Sequence, residues 1–147
     1  MSSKIEKEMC GDKKGEIIDY RFLSGVLLNL GEFKEALDCC RKALNLSEEI
    51  GDRSEEASAY SDLGDVHRKL KDFEKAEHCY KRAIEIYQET GDLESEESEN
   101  NRLGDLYRFL CECDLALKNH ERSLILKKQM GNKRGEAKQY CNLGAVY

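Results

Sequence analysis

A Gly-Asp or Gly-Asn pair recurs at a constant interval of 40 residues, as Gly11-Asp12, Gly51-Asp52, Gly91-Asp92 and Gly131-Asn132, with no insertion or deletion between copies. A fixed period of this length marks one supersecondary unit copied in tandem, because such a unit buries its apolar face only against its neighbours. Other columns keep the same register. Leu23, Leu63, Leu103 and Leu143 coincide, and the next column holds Ser24, Gly64, Gly104 and Gly144. Ala36, Ala76 and Ala116 form a third column, and Ala43, Ala83 and Ser123 a fourth.

Each unit reads as two helices. In the first, Tyr60, Leu63, Gly64, His67 and Leu70 fall on one stripe at spacings of three and four; in the second, Phe73, Ala76, Tyr80, Ala83, Ile84 and Tyr87 do the same. Small residues alternate with large ones along both stripes, as interdigitating helix pairs require. Asp52 is the N-cap candidate of the first helix, with Glu55 three residues on as a capping-box partner, and Asp12, Asp92 and Asn132 stand at the equivalent position. Asp72 caps the second helix. The Gly before each cap ends the preceding helix in the left-handed conformation. The chain contains no Pro, so Gly alone punctuates it.

The predicted organisation is therefore all-α, with about seven helices in one domain. Residues 1–10 form a frayed N-terminal helical extension; repeats span 11–50, 51–90 and 91–130; residues 131–147 supply a first helix without its second. That last helix carries a stripe of Tyr140, Leu143, Gly144 and Tyr147 with cover on one side only. Terminal repeats of such arrays normally show a polar outer face. The bare stripe implies a fragment of a longer array, or self-association through the exposed C-terminal helix.

Bulk properties narrow the function classes. A net charge of −6 argues against nucleic acid, whose binders present a basic face, and against anionic membrane surfaces. No apolar run approaches the roughly 18 residues of a membrane span, and the start, MSSKIEKEMC, has no apolar signal core. Seven Cys without regular pairing intervals read as free thiols in a reducing compartment. The expected location is the cytoplasm, with the nucleus also open.

The segments SDLGDVH (61–67), KDFEKAEHCYKRAI (71–84) and NRLGDLY (101–107) resemble the tetratricopeptide repeat, whose unit pairs a Leu-Gly and Tyr helix with a helix of spaced Ala positions and an aromatic. The resemblance covers residues 11–147. The usual unit has 34 residues and a Pro near its end; here it has 40 and lacks Pro, similar to the variant in Pins-type adaptor arrays. The third repeat departs most, with Asn100 for Tyr, Cys111 for Gly or Lys, Cys113 for Phe, and Ser123 for Ala. The resemblance implies an α-solenoid, a right-handed superhelix of stacked antiparallel helix pairs. It also implies a concave wall of first helices that holds a partner's extended or helical peptide, with no cofactor and no catalytic residues.

On the helical wheel the first helices expose a face beside the core stripe. It carries Arg21, Gly25 and Leu28, then Ser61, Asp65 and Arg68, then Asn101, Asp105 and Arg108, and in the last helix Cys141 and Ala145. Stacking would align Arg68 with Arg108 and Asp65 with Asp105. Arginine suits carboxylates through two parallel hydrogen bonds; alternatively Asp65 and Arg68 simply pair along the helix, for about 0.2–0.5 kcal/mol. The family's carboxylate clamp uses Lys and Asn on this wall. Asp65 and Asp105 stand where that clamp wants neutral or basic groups.

Other residues carry less. His67, His78 and His120 read as aromatic substitutes packed between helices rather than metal ligands, and Cys40 occupies the column of Tyr80 and His120. Cys111-x-Cys113 lacks the two-residue spacer of zinc or redox pairs. The acidic run DLESEESE (92–99) reads as a helix start favoured by the macrodipole, or as a dock for a basic partner. No phosphate-binding loop, nucleotide fingerprint, HExxH or nucleophile elbow occurs, so the reading is not an enzyme.

Overall fold

The computed structural model describes the backbone of residues 2–146 and the side chains of residues 12–131. Among the described residues the chain is all-helical: α1 (Ser2–Asn29), α2 (Phe33–Ile50), α3 (Arg53–Lys69), α4 (Phe73–Thr90), α5 (Leu93–Phe109) and α6 (Cys113–Val146). They form two compact units, Met1–Thr90 with α1–α4 and Gly91–Tyr147 with α5 and α6.

Left-handed backbone recurs every half period, at Gly31, Gly51, Lys71, Gly91 and Cys111, with φ of 81°, 72°, 64°, 74° and 60°. At Gly51 the amide donates to the Glu48 carbonyl and the next amide, of Asp52, to the Ser47 carbonyl, closing a Schellman turn. Lys71 with Asp72 reproduces the pattern on Arg68 and His67, and Cys111 with Glu112 on Arg108 and Tyr107. Asp52 then caps α3 by accepting from the Glu55 amide at 3.1 Å, and Asp92 caps α5 through the Ser95 amide at 3.1 Å. The Asp72 bond to the Lys75 amide is longer, 3.4 Å. The reciprocal half of the expected capping box does not form: the Glu55 carboxylate turns to Arg21 instead.

Two expected breaks are absent. α1 runs through Gly11 and α6 through Gly131, so the described residues form six helices, close to the expected seven. A helical Gly costs only about 1 kcal/mol relative to Ala, and with no Pro nothing local forces a turn. Gly51 turns because α2 and α3 fold back on each other. The stripe of Tyr140, Leu143, Gly144 and Tyr147 lies outside the described side chains.

In the first unit each helix packs on the next, and α1 also touches α3. One core cluster joins Ala36, Cys40, Leu63, Val66 and Cys79; a second joins Ala57, Ala83, Ile86 and Tyr87; a third joins Ile17, Ala43 and Ala59. α3 is buried on more than the single stripe read from its sequence, because it has neighbours on several sides. In α4, Ile86 rather than Ile84 is fully buried. The Leu-Gly column serves close approach. A Cβ on Gly64 would lie 2.7 Å from the Tyr80 ring, and one on Gly104 2.9 Å from His120 Nε2.

In the second unit α5 packs on α6. Leu103, Leu106, Tyr107, Ala116 and Leu126 are buried, but so are Glu96, Glu97, Glu99 and Asn100. Glu97 occupies the column of Ile17 and Ala57, and its Oε1 accepts from Ser123 Oγ at 2.7 Å and Asn101 Nδ2 at 2.6 Å, with Lys127 Nζ at 3.4 Å. Arg122 Nε donates to Glu96 Oε2 at 3.2 Å. The acidic run therefore divides: Asp92 and Glu94 sit at the helix start, Glu96 and Glu97 are tied to α6, and Glu99 is buried.

Candidate functional site

Between α1 and α3 lies a cleft of about 90 Å³, lined by Ser24, Gly25, Leu28, Asp62, Asp65 and Val66. Gly25 leaves its side of the mouth open: an added Cβ would find no atom within 4 Å. Leu28 and Val66 join the apolar core beneath, and two carboxylates stand on the α3 side. Of the ten residues singled out from the sequence, Gly25, Leu28 and Asp65 meet here.

Arg21 lies on α1 one turn before the cleft and is committed internally. Its Nε donates to Asp62 Oδ2 at 2.8 Å and its Nη1 to Glu55 Oε2 at 3.2 Å. Burial works against the guanidinium charge, but Asp62 and Glu55 outweigh it and hold the pKa above its ordinary value. Arg21 thus ties α1 to α3. Ser61 is buried, so it offers nothing to a ligand, and the neighbouring Asp62 faces the cleft in its place. A charge pair 41 residues apart, Arg21 with Asp62, one position beyond the period, is the sequence signal that points to Asp62.

Asp65 accepts a hydrogen bond from the Tyr80 hydroxyl at 2.5 Å. It does not pair with Arg68, which is left without an ion pair among the described residues. The second unit differs. There His120 replaces Tyr80, with Nε2 3.8 Å from Asp105 Oδ1, and Asp105 also pairs with Arg108 Nη2 at 3.6 Å. Asn101 Nδ2 donates along its own helix to Glu97. The same sequence columns therefore give a free arginine on α3 and a paired, exposed one on α5. Cys141 lies outside the described side chains.

The histidines separate. His67 is buried and His120 lies against Gly104, as aromatic substitutes should, whereas His78 stands on the exposed side of α4, a correction to the expectation that all three are packed. Cys39, Cys40 and Cys79 are buried free thiols, and Cys111 and Cys113 are exposed free thiols. Burial pushes Cys40 up to about 12 and Cys79 up to about 11, so neither is a nucleophile near neutrality. Among the described residues no group of three or more His, Cys, Asp or Glu is placed to hold a metal ion, and no helix is long and apolar enough to cross a membrane.

Residues 17–89 match the family model described as tetratricopeptide repeat. Among solved structures, the TPR domain of Arabidopsis FLU superposes with a TM-score of 0.69 at 21% identity, covering 80% of this chain and 98% of that one. BtubC (BKLC) from P. vanneervenii gives a TM-score of 0.68 at 28% identity, over 75% of this chain and 45% of its own. MamA gives 0.63 at 22% identity, over 79% and 61% respectively. This chain thus spans less than two thirds of the last two. No curated protein matches it.

Proposed function

We propose, proceeding from the fact that this chain belongs to the tetratricopeptide repeat family, that it is an adaptor that captures a partner protein's peptide on the α1–α3 face. A fold of this family serves as a protein-interaction or scaffold module, and ligands differ between members of one scaffold. The observation that carries the finer reading is the cleft at Gly25. It has an apolar floor of Leu28 and Val66, a rim of Asp62 and Asp65, and Arg68 unpaired one turn on. A peptide side chain fits the floor, a donor on the peptide meets the carboxylate rim, and a peptide carboxylate meets Arg68 through its planar fork. The role is non-catalytic. Free thiols at five described cysteines support a reducing compartment, and we place the protein in the cytoplasm.

The test is capture of partners on immobilised protein, comparing the native sequence with Gly25→Leu combined with Arg68→Glu. Both changes fall on open or half-open helix surface, so helicity by circular dichroism should be unchanged. The partners retained by the native protein should fall by about 10-fold or more, the effect of losing roughly 1.4 kcal/mol at a contact centre. A control on the outer face of α4, Lys81→Glu, should leave capture intact. An unchanged partner set in the double variant removes the cleft from the account.

A further inference from the structure

The turn between α5 and α6 departs from the chemistry of its sister turns. In the α1–α2 turn Asn29, Gly31 and Glu35 are exposed, although α3 packs on both α1 and α2. In the α3–α4 turn Lys69, Lys71 and Lys75 are exposed as well. These columns therefore face solvent even in a repeat whose following helix is in place, and whatever succeeds α6 does not decide their exposure. In the α5–α6 turn the same columns hold Phe109, Cys111 and Leu115, with Phe109 64% and Leu115 39% exposed. Cys113, in the column of the half-buried Phe33 and Phe73, is a second exposed free thiol. The Cys111 and Glu112 amides close the turn on the Arg108 and Tyr107 carbonyls, so the backbone that carries both thiols is fixed. Apolar side chains and thiols thus stand where the sister turns are polar, at positions whose exposure means that they add nothing to the core.

We infer that Cys111 and Cys113 are S-acylation sites, and that the acylated turn anchors the chain on a membrane of neutral lipid. The acyl donor is a long-chain thioester of coenzyme A. Sγ attacks its carbonyl carbon, a new C–S bond forms as the bond to coenzyme A breaks, and the thiol proton leaves with the coenzyme A thiol, so no oxidant is required. Two thiols in one turn matter, because one acyl chain holds a protein on a bilayer only marginally and a second signal makes the anchoring stable. Phe109 and Leu115 enter the interface beside the acyl chains. The buried thiols of Cys39, Cys40 and Cys79 are out of reach of a donor. Glu112 and Asp114 are exposed beside the reactive pair, and with a net charge of −6 they repel anionic headgroups, so the surface is a neutral one. The anchor and the peptide cleft use different residues, and each stands without the other.

The experiment incubates the full chain with palmitoyl coenzyme A and phosphatidylcholine vesicles. Peptide mass reads which cysteines are acylated, and flotation reads the vesicle-bound fraction. The native chain should carry a hydroxylamine-labile acyl group at both Cys111 and Cys113 and float with the vesicles. Cys111→Ser with Cys113→Ser should stay in solution, and either change alone should lower the vesicle partition coefficient by at least about 10-fold. Phe109→Lys with Leu115→Lys, which restores the residues of the preceding repeat, should keep both acyl groups and still lower that coefficient. All four positions are exposed, so the helical spectrum should be unchanged in every variant. Thiols left unmodified at Cys111 and Cys113 overturn the inference. So does a doubly acylated chain that stays in solution, or a Cys111→Ser, Cys113→Ser chain that still floats. Self-association of the unmodified native chain, abolished by Phe109→Lys with Leu115→Lys, would show that the turn is a protein contact and would also overturn it.

Discussion

Gly64 and Tyr80 show how one missing methyl group sets the distance between two helices. The Tyr80 ring is fully buried against the bare α3 backbone and reaches Asp65 with its hydroxyl. Gly64→Ala gains up to about 1 kcal/mol of helix propensity but forces a ring contact shorter than 3 Å, and overpacking of this kind costs about 1–3 kcal/mol. Urea denaturation should show a net loss for Gly64→Ala. Gly15→Ala, on a helix position with nothing within 4 Å, should gain about 0.5–1 kcal/mol. Lys71 takes the left-handed turn that Gly31 takes one period earlier, so Lys71→Gly should stabilise by about 1 kcal/mol in the same assay. His67 carries a pH dependence. Burial depresses its pKa; Asp72 opposes this, while Lys75 and Arg41 reinforce it. The native state therefore holds it neutral while the unfolded chain binds a proton below about pH 6.5. Its contribution is complete above that value and lost as pH falls through the folded pKa. His67→Tyr, the residue of the next repeat, should flatten the stability profile between about pH 7 and pH 5. The packing roles of Gly64 and His67 were legible in the sequence because sister repeats show the alternatives at each column. The fate of Ser61 was not, since a small residue fits a buried position as readily as an open one.

At the scale of helix pairs, α5 and α6 replace an apolar contact by a polar one. Where α3 and α4 pair Ala57 with Ala83, α5 and α6 pair Glu97 with Ser123. Ser123→Ala alone should cost about 1–2 kcal/mol, because a buried carboxylate loses a donor. Adding Glu97→Ala restores the alanine pair and should recover that loss or exceed it, since a packed apolar pair often matches a buried charged network. A double-mutant cycle in urea should therefore be strongly non-additive. Ser123 was visible in the sequence as a departure from Ala, but its partner was not: an acidic run reads as a solvated helix start until tertiary contact shows which carboxylates turn inward. The helix ends tell a similar story. Gly11 and Gly131 carry the same local signal as Gly51 and Gly91, yet α1 and α6 continue through them. What distinguishes Gly51 is the packing of α2 against α3, a long-range fact that no window around a Gly-Asp pair contains.

For the molecule as a whole, the period was the most legible feature and the ligand-facing surface the least. Repeat spacing fixes where helices lie and which columns are small or large, so the all-helical, paired architecture followed from it. Surface chemistry depends on which carboxylate each arginine finds: Arg21 is spent on Asp62 and Glu55, Arg108 lies beside Asp105, and Arg68 has no ion pair among the described residues. Equal columns thus do not guarantee equal faces. The central claim is that a constant interval marks paired helices broken by left-handed residues at every half period, and backbone carbon chemical shifts measure it most directly. Helical shifts should be interrupted at Gly31, Gly51, Lys71, Gly91 and Cys111, with left-handed values at those five residues. Uninterrupted helical shifts through Lys71 or Cys111, or a run of extended-strand shifts within α2, α3, α4 or α5, would contradict it.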